Sequence, residues 1–220
     1  MASHKSLKSQ NAWLIRSALV LHLLAFVFVA FEPFFLLHLD RADLFEKLKE
    51  SLAPGSLSLA IIVITKLVLL GLVPANLRDR LVHWRWKNPL PGTKAFSKIG
   101  PADFRVSMVM IEREHGTSPS EPGAQNSLFY KIYMKHSDAL PVLDAHKSYL
   151  AARDICIINL LMFLILPWLA YWATSDIVRV VIYSASLFGA YGLLAWAAQV
   201  YSQRLVENSL AAESAALSSH

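Results

Sequence analysis

Two ionisable residues stand inside long apolar runs, Glu32 and Lys66. A charge at that depth of a bilayer costs at least ~2–3 kcal/mol on insertion scales, so it takes a partner or water. At ~1.5 Å per residue, Glu32 falls about 10 Å from the end of its run and Lys66 about 15 Å into the next. Consecutive spans run antiparallel, and a lysine stem closes the remaining gap by snorkelling. The pair reads as an ion pair within a helix bundle, or as the polar lining of a pore.

A second concentration of chemistry is the run Arg78-Asp79-Arg80-Leu81-Val82-His83-Trp84-Arg85-Trp86-Lys87, followed by Lys94. Cations interleaved with tryptophan suit anionic lipid headgroups, where each adds about 1 kcal/mol near the surface. The same mixture suits nucleic acid or an acidic protein, because Trp and Arg stack on bases. Arg78, Arg80, Trp84, Arg85, Trp86, Lys87 and Lys94 are therefore candidate contacts for lipid, nucleic acid or a partner.

Catalytic patterns are missing. There is no His-Glu-x-x-His pair, no Gly-x-Ser-x-Gly elbow and no phosphate-cradling Gly-Lys-Ser/Thr loop. Histidines at 22, 38, 83, 115, 136 and 146 are scattered singly, without metal-ligand spacing inside one element. The single cysteine, Cys156, excludes an internal disulfide. No catalytic, cofactor-binding or metal residue is expected, and the chain reads as no enzyme.

The elements that hold these residues are written in the composition. Of 220 residues, 55% are hydrophobic and 17% charged, and mean hydropathy is +0.41. The apolar excess falls in four runs, residues 13–39, 56–75, 155–174 and 180–203. A hydrocarbon core of ~30 Å takes roughly 20 helical residues, so each run fits one crossing. The expected fold is an all-α membrane protein of four transmembrane helices. A short N-terminus (1–12), an amphipathic outer loop (40–55), a short outer loop (175–179) and a C-terminal tail (204–220) complete the order. Span four carries Ala185, Gly189 and Gly192, a small-residue face that permits close helix packing.

Lys and Arg set the orientation. The N-terminal flank, the segment 76–154 and the tail hold 16 of them, and the alternate loops hold 4. The positive-inside rule then places both termini and the central segment in the cytoplasm. That 79-residue insert carries 12 Lys or Arg against 8 Asp or Glu. Three helical pieces are expected in it. One follows span two through Leu77 and Leu81. One is capped by Asp103 and stopped by Gly116. One is capped by Asn126 and ends near His136, after a loop over 116–125. From Pro141 to Thr174 only Pro167 could break the chain, so a single helix of about 50 Å is expected there.

The run Trp84-Arg85-Trp86-Lys87-Asn88-Pro89-Leu90-Pro91-Gly92-Thr93-Lys94-Ala95-Phe96-Ser97 resembles a signature of small bacterial inner-membrane effectors in anti-phage defence loci, including the transmembrane effectors of retrons. So do Gln125 to Tyr133 and Ala145 to Asp154, and the resemblance covers about residues 80–155. It implies a toxin held inactive by a retron reverse transcriptase and its multicopy single-stranded DNA. On release it would damage or depolarise the host membrane, in an abortive infection, and could act as a homo-oligomer. The residues also fit a non-toxic anchoring or assembly subunit, and a membrane enzyme or small transporter.

Overall fold

A computed structural model describes residues 11–31 and 73–219, all of whose regular structure is helical. The helices are α1 (Ala12–Phe31), α2 (Ala75–His83), α3 (Met108–His115), α4 (Pro122–Lys135), α5 (Leu140–Thr174) and α6 (Ile177–Ser218). Between α2 and α3 lie a 3₁₀ turn (Pro91–Lys94), a π turn (Ala95–Ile99) and one further turn (Gly100–Ala102). Glu32, Lys66, the outer loop at 40–55 and nearly all of the expected second span lie outside the described residues.

Three helices, α1, α5 and α6, are long and apolar enough to cross a membrane. Leu21, Leu24 and Phe28 on α1, Leu164, Trp168 and Trp172 on α5, and Val181, Ile182, Phe188 and Trp196 on α6 are all exposed. So much outward apolar surface is costly in water and ordinary against lipid.

The chain divides into two compact units. In one, residues from α1 join Asp154–Leu193. Phe26, Ile158, Met162, Leu166 and Leu187 are buried in it. His22 Nε2 lies 3.0 Å from Asn159 Oδ1, and Asn159 Nδ2 donates to the Leu187 carbonyl at 2.7 Å. Side chains and backbone of three helices are thereby joined by polar contacts where solvent is absent.

The other unit is formed by Ala75–Arg153 and Leu194–His220. Its core holds Phe96, Ile111, Phe129, Ile132, Val142, Leu205, Val206 and Leu210. On α4, Gln125, Phe129 and Ile132 recur at helical spacing and turn inward together. On α6, Leu205, Val206, Ser209, Leu210 and Glu213 do the same. The stretch 204–220 is therefore no separate tail. Residues through Ser218 continue α6, because that face fills the core.

Local caps shift two expected boundaries. Asp103 caps no helix; its carboxylate accepts from Arg105 Nη2 at 2.7 Å, and Ser107 occupies the position before α3. Gly116, at φ 85, does end α3. α4 starts at Pro122, inside the expected loop, because the Glu121 carboxylate accepts from the Gly123 and Ala124 amides. Asn126, the expected cap, lies within α4. The continuous helix expected from Pro141 is α5, and Pro167 does not interrupt it.

Candidate functional site

The site is built around the turn that follows α2. Helix α2 ends at His83, and Gln199 Nε2 donates to the Val82 carbonyl at 2.8 Å, satisfying one of its terminal acceptors. The chain then turns through Trp84 at φ 52 and Asn88 at φ 49. Side chains other than glycine adopt this left-handed region at a cost of about 1–2 kcal/mol. Surrounding contacts hold the turn in place: Thr93 Oγ1 donates to the Leu90 carbonyl at 2.6 Å. The buried Gln125 accepts through Oε1 from the Phe96 and Ser97 amides, at 3.2 and 3.1 Å.

The turn leaves two cavities that share Arg85 and Lys94. The smaller, ≈ 190 Å³, is also lined by His83, Lys98, Gln199, Ser202 and Gln203. The larger, ≈ 500 Å³, is also lined by Lys87, Asn88, Thr93, Ser97 and Ser120. No Asp or Glu lines either one among the described residues. Burial, then the neighbouring charges of Arg85 and Lys98, lower the Lys94 pKa. Cations crowded without carboxylates create a positive potential that an anion relieves.

The expected contact residues divide in this geometry. Arg85, Trp86 and Lys87 are exposed, Trp84 is 59% exposed, and Lys94 is half-buried between the cavities. Arg78 is buried at 6% exposure, and Arg80 is half-buried. Gly189 and Gly192 have no described atom within 4 Å of where a side chain would begin. Ala185, on the same helix, is exposed.

Two buried ionic groupings flank this turn in sequence. Asp79 accepts at Oδ1 from the Tyr149 hydroxyl at 2.8 Å and from Arg153 Nη1 at 3.1 Å. His83 lies against the same tyrosine, ring centroids 6.1 Å apart. Burial lowers its pKa to about 4, Arg85 and Arg153 push the same way, and Asp79 opposes them. The second grouping centres on Glu213, whose side chain is wholly buried. Its Oε1 accepts from His115 Nε2 at 2.8 Å and from Lys135 Nζ at 2.9 Å, and its Oε2 pairs with His136 Nε2. Histidines that are single in sequence thus share one carboxylate. The described residues include no set of three His, Cys, Asp or Glu placed to hold a metal ion. The carboxylate is neutralised by its neighbours and ties the end of α6 to the ends of α3 and α4.

The cavities and these groupings offer binding and positioning. The class that fold and composition define is a helical membrane protein, with three apolar helices of spanning length among the described residues. Comparisons with protein-family models, with curated proteins and with solved structures find no match.

Proposed function

We propose that this chain is a multi-pass effector of the bacterial inner membrane, acting in anti-phage defence by depolarising or disrupting that membrane. Four spans with both termini in the cytoplasm are part of the proposal. One observation carries it. Helices α5 and α6, of 35 and 42 residues, each run unbroken from strongly apolar sequence into the core of the polar unit. A partner that binds the polar unit in only one state of these helices biases their equilibrium by its difference in affinity. The partner fitting the resemblance is a retron reverse transcriptase with its multicopy single-stranded DNA. The damaging form is a homo-oligomer, and its activity needs no catalytic centre.

Inducing the chain alone and recording membrane potential with growth tests this reading. Collapse of the potential with growth arrest supports it. An unchanged potential, with insertion verified, overturns it.

A specific observation favours the second reading, a non-toxic anchor or assembly subunit. Phe104 is 98% exposed, and Val109, Tyr130 and Met134 are more than half exposed on the polar unit. Aromatic surface of this kind anchors protein interfaces. Silence in the induction experiment, with a stable complex recovered, selects that reading.

A further inference from the structure

The pair of cavities around Arg85 and Lys94 has a use that membrane damage does not require. We infer that they bind the phosphate of an anionic lipid headgroup at the cytoplasmic face of the bilayer. This rests on the membrane reading and not on the effector activity.

Four observations converge. Arg85 and Lys94 line both cavities, Lys98 and His83 extend the smaller, and Lys87 extends the larger. From Arg80 to Ala102 the chain carries five Lys or Arg and no acid, so no carboxylate of that segment competes for them. Burial first, and then the charges of Arg85 and Lys98, lower the Lys94 pKa, and a phosphate placed between these cations would offset both. Finally, the lining includes Asn88, Thr93, Ser97, Gln199, Ser202 and Gln203, hydrogen-bonding groups suited to the hydroxyls of a glycerol or similar headgroup.

The depth of the site chooses lipid over nucleic acid. α2 begins at Ala75, where the second apolar run ends. Gln199, Ser202 and Gln203 occupy the last turn of the fourth, 180–203. One side of the smaller cavity, Gln199, Ser202 and Gln203, therefore comes from the end of an apolar run, the level at which headgroups lie, and the other side begins at His83, where α2 ends. Trp84 and Trp86, 59% and 69% exposed, belong to the residue type that concentrates there. Each cation near such a surface contributes about 1 kcal/mol.

The test uses the full-length protein in a neutral detergent. Short-chain phosphatidylglycerol, short-chain phosphatidylcholine, inorganic phosphate and an oligothymidylate are titrated separately. Phosphatidylglycerol should saturate at least tenfold more tightly than phosphatidylcholine and inorganic phosphate. The double variant Lys94→Gln/Lys98→Gln should lose about tenfold in phosphatidylglycerol affinity. Arg113→Gln/Lys131→Gln, an equal loss of charge at exposed positions elsewhere on the same unit, should lose less than twofold. Lys94→Arg should retain binding. Thermal unfolding of each variant verifies that the fold survives. Equal losses in the two double variants would overturn the site. So would inorganic phosphate binding as tightly as the lipid, which identifies free phosphate as the ligand. Tighter binding of the oligothymidylate, with displacement of the lipid, identifies nucleic acid and also overturns it.

Discussion

Glu213 Oε1 lies 2.8 Å from His115 Nε2, across 98 residues of sequence. Lys135 reaches the same oxygen and His136 the other one. One buried carboxylate near the end of α6 therefore fixes the ends of α3 and α4. Removing one partner of a fully buried ionic group costs about 3–5 kcal/mol; Lys135 is half-exposed and His115 partly so, which makes that figure an upper limit for Glu213. Glu213→Ala should lower the thermal midpoint of the purified protein by many degrees, and Glu213→Gln, which keeps the shape and two hydrogen-bonding atoms, by less. Equal midpoints for all three proteins would show that the contacts contribute nothing net.

His83 makes acid sensitivity a second expectation. Its pKa falls to about 4 in the folded protein, chiefly through burial, against an ordinary 6.5. Between those values the unfolded chain binds the proton and the folded chain does not. Stability from neutral His83 is complete above pH 6.5 and is lost as pH falls towards 4. The shift sets an upper limit of about 3 kcal/mol, reduced by the partial exposure of the ring. Thermal midpoints at pH 7.5 and 4.5 should therefore differ less in His83→Gln than in the parent protein. An identical pH slope in the two proteins would refute this role.

Gly92 is required by close approach. A side-chain carbon built on it would lie 2.5 Å from Asn126 Oδ1 and 2.5 Å from Phe129 Cδ1. Both neighbours belong to α4, and Phe129 is part of the core. Overpacking of this kind costs about 1–3 kcal/mol. Gly92→Ala should lower the thermal midpoint, whereas Gly116→Ala meets no atom within 4 Å and is penalised only through its backbone at φ 85. Since an alanine at φ 85 and ψ 178, a region essentially reserved for glycine, costs about 1–3 kcal/mol, the informative comparison is Gly92→Ala with Phe129→Leu. Making room at Phe129 should recover part of the loss in the double variant.

Legibility in the sequence follows the range of the interaction. The helix after Pro141 and the stop at Gly116 depend on neighbouring residues, and both are readable locally. The Glu213 cluster depends on separations of 77, 78 and 98 residues, which leave no trace in spacing. The end of α6 is rich in Ala and Ser and reads as a polar tail. Its one signal is the inward spacing of 205, 206, 209, 210 and 213, diluted because Ser209 and Glu213 are among the buried residues. The basic turn is visible in the sequence as charge. That Lys98 joins Arg85 and Lys94 around a cavity follows from the turns between Pro91 and Ala102, which no periodicity announces.

Orientation in the membrane remains the expectation on which the lipid site and the effector reading both depend. The segment 76–154 carries 12 of the 21 Lys and Arg residues, and positive segments stay on the cytoplasmic side. Arg78, Arg80 and Arg85 stand closest after the second apolar run, where cations weigh most. The buried Arg78 and the Asp79–Arg153 pair add a structural reason. Moving this folded polar unit through the bilayer would carry its ionic groups across hydrocarbon. Reporter fusions after residues 50, 120 and 215 should read outside, inside and inside. An outside signal at 120 would reverse the arrangement, and with it the leaflet whose anionic lipid the Arg85–Lys94 cavities meet.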